Sequence, residues 1–285
     1  MAAPDDAHSN PVAAIQMNSG ADISANLASA GDLLERAAEA GTRLAVLPEN
    51  FAFMGKTASA RVAIAEDDGS GPVQDFLATT ARRLGLWIVA GTVALKLPDE
   101  AESTRVAPAC LVYDAHGQRV ARYDKMHLFD VDLPEKGTRY RESDGFRPGP
   151  PTPCCVDTPV GRVGLSVCYD LRFPELYRRL AADGAQIFTV PAAFTVPTGA
   201  AHWHVLLRAR AIENLAIVVA PAQCGTHPDG RATYGHSLVV GPWGEVLGEV
   251  DSQSETGVAS APVSRTRLAE LRRDFPALAH RRLPA

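Results

Sequence analysis

The amino-acid sequence predicts an α/β fold of two stacked mixed sheets with helices outside. Three observations carry that expectation. Short apolar runs of strand length alternate with helix-like segments nearly to the end of the chain. Many of these runs lack a polar face, so they suit strands buried on both sides. No Ser/Gly-rich linker, composition shift or fixed-period repeat divides the 285 residues. Residues 11–285 therefore read as one domain, and the polar, acidic residues 1–10 as a disordered lead-in.

The elements follow in order. Segment 11–17 (PVAAIQM) is a buried strand. Asp22 or Ser24 can cap the next helix, whose inner face carries Leu27, Ala30, Leu34 and Ala37, and Gly41 stands where a glycine ends it. Segment 44–47 is a strand running into Pro48-Glu49-Asn50. A helix is predicted over 72–84, opened by Gly71-Pro72, and one buried strand over 86–93. Segments 109–113 and 119–123 flank Asp114-Ala115-His116-Gly117, a hairpin signal. The Gly- and Pro-rich stretch 125–153 reads as a long loop, a kind that often carries function. A strand over 162–167 leads to Cys168, and a helix over 174–182 has Pro174 at its first position and Gly184 past its end. After a strand at 187–190, residues 200–214 form an amphipathic helix with Trp203, Leu206, Leu207 and Ala211 on one face. Strand-like segments at 216–220, 236–240 and 245–250 follow, the last two joined by Pro242-Trp243-Gly244.

Bulk properties narrow the function classes. With 28 basic against 33 acidic residues the formal charge is −5, which lacks the basic footprint that nucleic-acid binding needs. No apolar run approaches the ~20 residues that cross a bilayer, so no membrane partner is expected. The N-terminus has neither the basic nor the apolar region of a secretory signal. Five cysteines (Cys110, Cys154, Cys155, Cys168 and Cys224) are odd in number and sparse, which suits reduced thiols in a cytoplasm. Neither CxxC nor HExxH occurs, so sequence spacing supports no metal site.

Three residues offer complementary chemistry. Cys168 ends an apolar strand, and Tyr169-Asp170-Leu171-Arg172-Phe173-Pro174 leads into a helix. Such a turn exposes a nucleophile beside backbone N–H groups, although a free cysteine is also a common core residue. Glu49 follows a strand in LAVLPEN and could be a general base, a metal ligand or a solvated carboxylate. Lys125 follows another strand, where a lysine alone reads as a surface charge. Together they form a set: a thiol needs a proton acceptor, and a tetrahedral oxyanion needs a cation. His202, His204 and His236 leave a Cys-His site open at this point.

LPEN at 47–50, YDKMHLFD at 123–130 and VCYDLRFPEL at 167–176 resemble the three catalytic blocks of the nitrilase (carbon-nitrogen hydrolase) superfamily, in the same order. The resemblance runs from about Val12 to the C-terminal AHRR. It implies a four-layer αββα sandwich that dimerises, with Cys168 as nucleophile, Glu49 as general base and Lys125 as oxyanion stabiliser. Glu142 in Arg141-Glu142-Ser143 matches the family's second glutamate, which would position Lys125 or the substrate. The implied reaction needs no metal or organic cofactor. Arg172 matches an arginine that holds a substrate carboxylate in carbamoylase relatives; its plain alternative is a surface arginine paired with Glu175 or Asp170. Tyr169 and Phe194 are candidate pocket walls.

The segments at 198–214, 220–246 and 275–282 resemble the branch of deaminated glutathione amidases and omega-amidases, with QCGTH and GRATYGHS favouring the former. The resemblance thus implies a small carboxylated amide as substrate. N-carbamoyl-amino-acid hydrolysis is an alternative activity, and an interaction scaffold an alternative of another class, one that would not need an intact Glu49-Lys125-Cys168 set.

Overall fold

The computed structural model describes residues 10–98, 104–133, 138–228, 230–251 and 253–283. The lead-in expected at 1–10 lies outside them except for Asn10, which already belongs to the first strand.

The first half of the chain builds one sheet and its outer helices. Strand β1 (Asn10–Gln16) is followed by α1 (Ile23–Glu39), β2 (Leu44–Val46), α2 (Ala58–Ala63) and α3 (Pro72–Leu84). Then come β3 (Trp87–Val89), β4 (Val93–Leu95), β5 (Ala107–Tyr113) and β6 (Arg119–Asp124). The hairpin β7 (Asp130–Leu133) and β8 (Thr138–Arg141) precedes β9 (Cys155–Thr158) and β10 (Gly161–Leu165). The second half supplies α4 (Pro174–Ala182), β11 (Ile187–Thr189), α5 (Val196–Asn214), β12 (Ile217–Ala220), β13 (Cys224–Thr226) and β14 (Ala232–Tyr234). It closes with β15 (Leu238–Val240), β16 (Val246–Glu249), β17 (Gly257–Val263) and α6 (Arg265–Asp274).

The strands sort into two mixed sheets. The first has the order β17-β1-β2-β3-β5-β4 with β6 beside β5; the second runs β16-β15-β12-β11-β10-β9. The last strand returns to the first: β17 lies antiparallel to β1 from Asn10↔Val263 to Gln16↔Gly257.

Side-chain alternation explains the layering. Along β1, Val12 and Ala14 face the inter-sheet core with Val163, Leu165, Ile187 and Val219 of the second sheet. Ala13 and Ile15 point the other way, against Ala30, Leu33 and Leu34 of α1 and Leu77 and Ala81 of α3. On the far side, Leu176, Tyr177 and Leu180 of α4 and Trp203, Leu207 and Ala211 of α5 cover the second sheet. The result is the expected αββα sandwich, and each large apolar side chain so buried contributes about 1.5–3 kcal/mol.

Local signals set most helix ends. The Asp22 carboxylate accepts from the Ser24 and Ala25 N–H groups at the start of α1. Pro72 and Pro174 open α3 and α4, and Gly85 closes α3 in the left-handed region.

Four expectations are corrected. The strand predicted over 86–93 is two strands, because Gly91 (φ 50°) turns the chain between β3 and β4. A Cβ there would lie 1.9 Å from the Pro48 carbonyl oxygen, so the break is also a close backbone approach beneath Glu49. The loop at 125–153 contains β7, β8 and a 3-10 turn at Glu142–Asp144. Helix α5 starts at Val196 rather than residue 200, with Pro197 in its first turn, where a missing N–H costs nothing. Finally, β17 and α6 follow the last predicted strand. Pro262 and the small residues of GVASAPV disguise an edge strand, and α6 buries only Leu268, leaving no apolar stripe to read.

Candidate active site

Three strands deliver the reactive side chains to one place. The chain leaves β2 into Pro48-Glu49-Asn50, leaves β6 at Lys125, and leaves β10 towards Cys168. Two of the turns use a backbone that most residues avoid: Asn50 has φ 56° and Cys168 has φ 48°. The Cys168 turn is held by its own N–H, which donates to the Pro191 carbonyl (2.8 Å), and it opens a 3-10 turn, Cys168–Arg172. The Glu49 turn is held from the opposite side. Thr92 accepts from the Asn50 N–H (2.8 Å), Gln223 donates to the Glu49 carbonyl (3.1 Å), and Ser19 donates to the Phe51 carbonyl (2.8 Å).

Lys125 is the centre of the charge arrangement, with 1% of its surface exposed. Its ammonium donates to Glu49 Oε1 (2.8 Å) and to both oxygens of Glu142 (2.7 and 2.8 Å). Glu142 is itself anchored by the Phe129 N–H (2.6 Å). Burial works to discharge Lys125, but Glu142 and Glu49 outweigh it and hold its pKa well above the ordinary value. Burial and the neighbouring Glu49 charge raise Glu142 despite Lys125. The ammonium already occupies the position between two carboxylates where a cation would sit.

Cys168 faces the same cluster. Burial, then the Glu49 charge, hold its thiol well above the ordinary value near 9, against the opposing pull of Lys125 and the Ala193 N–H. Its resting form is therefore the thiol, in hydrogen-bonding contact with Glu49.

A cavity of about 800 Å³ opens over these groups. Glu49, Lys125, Glu142, Cys168, Tyr169, Arg172 and Phe194, all anticipated from the sequence, line it. Arg172 does not pair with Glu175 or Asp170: it contacts His202 Nδ1 (3.3 Å) and lies over the rings of Phe194 and Tyr169. Lys56, Arg61, Arg139 and Arg231 add further cationic lining. Among the described residues no histidine lines the cavity, which removes the Cys-His alternative; His204 and His236 instead meet Glu249 elsewhere.

The reading from sequence missed Asp170. It is fully buried and joins the lysine and cysteine segments. Its carboxylate accepts from Tyr123 Oη (2.8 Å), the Val167 N–H (2.8 Å) and the His127 N–H (3.1 Å), and meets His127 Nδ1 (2.7 Å). Asp170 stands inside the VCYDLRFPEL block, but a carboxylate in a turn signals solvation unless its buried donors are known.

A thiol, a carboxylate and an ammonium at the mouth of such a cavity suit acyl transfer from nitrogen. Residues 11–273 match the carbon-nitrogen hydrolase family model. The chain belongs to the carbon-nitrogen hydrolase family. It is a hydrolase of non-peptide carbon–nitrogen bonds. The hydrolase is 41% identical over 271 residues to a deaminated glutathione amidase of Yersinia enterocolitica, covering 95% of this chain and 92% of that one. A human deaminated glutathione amidase is also 41% identical, covering 95% of this chain and 82% of that protein. The fold is similar to the crystal structure of the C. elegans NitFhit protein (TM-score 0.87, 38% identity), covering 96% of this chain and 65% of that longer chain. Saccharomyces cerevisiae Nit3, described as a member of branch 10 of the nitrilase superfamily, gives a TM-score of 0.84 at 28% identity, with 97% of both chains covered.

Proposed function

We propose that this hydrolase is a cysteine-dependent amidase that converts deaminated glutathione to 2-oxoglutarate and cysteinylglycine. The observation that carries the proposal is the convergence of Cys168, Glu49 and Lys125 beneath a cavity lined by Arg172 and other cations. Two groups of relatives that carry out this named reaction, bacterial and human, support the choice of substrate.

In this mechanism Cys168 gives its proton to Glu49 as Sγ attacks the amide carbon. The thiol's raised pKa means that transfer accompanies attack rather than preceding it. Lys125 Nζ and the Tyr169 N–H take the developing oxyanion. Glu49 returns the proton to the nitrogen of the leaving amine, which departs as the thioester forms. A water deprotonated by Glu49 then hydrolyses the thioester and restores the thiol. Glu142 keeps the ammonium pointed at the oxyanion position, Arg172 holds a substrate carboxylate, and Tyr169 and Phe194 shape the walls. A homodimer or higher homo-oligomer in a reducing cytoplasm completes the proposal, checked by light scattering and by localisation of the tagged chain.

The test is turnover of deaminated glutathione, 2-oxoglutaramate and an N-carbamoyl amino acid by the wild type and by Cys168→Ala. Release of 2-oxoglutarate mainly from the first, abolished in the variant, is the expected result. Turnover of 2-oxoglutaramate alone replaces the substrate with that of an omega-amidase, and turnover of the carbamoyl compound alone with that of a carbamoylase. Activity retained in Cys168→Ala refutes the nucleophile.

A further inference from the structure

The amidase scheme leaves His204 and His236 unused, and both meet one carboxylate on another face of the sandwich. His204 lies on α5, His236 follows β14, and Glu249 ends β16. His204 Nε2 is 2.9 Å and His236 Nδ1 is 2.7 Å from Glu249 Oε1. All three ligand-type atoms lie within 4.8 Å of one another. Nitrogen and oxygen ligands bound to one zinc-class ion at about 2.0–2.2 Å stand roughly 3–3.5 Å apart, so modest rotation of the rings would admit an ion. The imidazoles are set at 74° with centroids 5.3 Å apart, aimed towards a common point rather than stacked.

Two observations separate this cluster from an incidental surface ion pair. The His236 backbone holds φ 58°, an uncommon conformation for a residue other than glycine, asparagine or aspartate. Neighbouring bonds maintain it: Trp203 Nε1 donates to the His236 carbonyl (2.8 Å), and the Ser237 N–H donates to Gln16 (2.9 Å). Tyr234 stacks on the His236 ring at 4.3 Å and restrains its plane. The three side chains are 21–32% exposed, so ions and completing waters can reach them while their stems stay packed. Although burial opposes it, bonds from both histidines hold the Glu249 carboxyl below its usual range, in the anionic form a ligand needs.

We propose that His204, His236 and Glu249 form a second, non-catalytic site that binds one divalent transition-metal ion of the zinc class. Two imidazoles and one carboxylate suit Zn²⁺, Co²⁺ or Ni²⁺ better than Mg²⁺ or Ca²⁺, which favour oxygen ligands throughout. The ion would replace the two histidine–carboxylate hydrogen bonds and tie α5 to β16. Glu249 lies 13 residues after His236 and 45 after His204, a spacing outside any familiar metal motif. Helix α5 follows directly on Thr195 in the cavity wall, so the ion would brace that wall from outside without touching the reacting atoms.

The experiment titrates Zn²⁺ into chelator-treated full-length protein by calorimetry and records the visible spectrum with Co²⁺. Wild type and Cys168→Ala are expected to bind one ion at this site with a tetrahedral or five-coordinate Co²⁺ spectrum. His204→Ala and Glu249→Gln are each expected to weaken binding at least tenfold. Zn²⁺ is expected to raise the melting temperature of the wild type and not of Glu249→Gln. Failure to bind at micromolar ion, binding unchanged in both site variants, or binding lost only in Cys168→Ala overturns the proposal. These readouts use no substrate, so they stand or fall separately from the amidase assignment.

Discussion

The α1/α3 layer and the Glu49–Lys125–Cys168 end of the sandwich are almost equally buried, yet they are held by opposite means. Under α1 and α3, Leu34, Leu77 and Ile88 meet only apolar neighbours at zero exposure. At the site, Lys125 and Asp170 are as well hidden, but each is surrounded by charges and hydrogen-bond partners. A non-directional core tolerates small displacements, whereas a desolvated charge depends on each partner it has. The first layer stores stability; the second spends part of it to keep reactive groups in place.

Variants can break that comparison. Lys125→Met leaves two buried carboxylates facing each other, so kcat is expected to fall about 10²–10³-fold and stability by about 3–5 kcal/mol. Steady-state kinetics and urea unfolding read both, and a stable Met variant would show that the cluster tolerates loss of its cation. The pH dependence of Cys168 alkylation sharpens the same point. Because the free thiol's pKa is raised, its iodoacetamide rate is expected to climb roughly tenfold per pH unit from 7 to 9. A plateau below pH 8 would mean a preformed thiolate.

On the other side, Leu34→Ala removes a fully buried side chain and is expected to cost about 3 kcal/mol with kcat within twofold of wild type. Loss of activity in the folded variant would erase the distinction between the two layers. Asp170→Asn keeps the shape but replaces one acceptor oxygen with a donor facing Val167 N–H and Tyr123 Oη or His127. A loss of about 2 kcal/mol and a drop of about tenfold in kcat with KM little changed are expected. The smallest effect belongs to the surface. Arg83→Ala breaks the exposed pair with Glu35 and is expected to move stability by no more than about 0.5 kcal/mol.

Legibility follows the same division. The layered fold was readable because Val12-Ala13-Ala14-Ile15 and the α1 stripe repeat with the periods of strand and helix. The ends of α3 and α4 were readable because proline and glycine act locally. Glu49, Lys125 and Cys168 stood out through their three blocks, and the geometry brings them together. Asp170, Gly91 and the Gln223–Ser19 support were hidden, because their work depends on partners distant in the chain. Likewise β17 gives almost no local signal: its strand character comes from β1.

That last pairing bears on how the molecule is made. Until residues 257–263 have left the ribosome, β1 has β2 on one side and an open row of N–H and C=O groups on the other. Gln16, at the end of β1, also donates to Ser254 and accepts from Ser237, so the nascent N-terminal segment waits on late-synthesised partners. The first sheet therefore cannot be completed during translation of the first half. A ribosome stalled before β17 would display a sticky edge, and chaperone demand is expected to fall sharply once that strand is delivered.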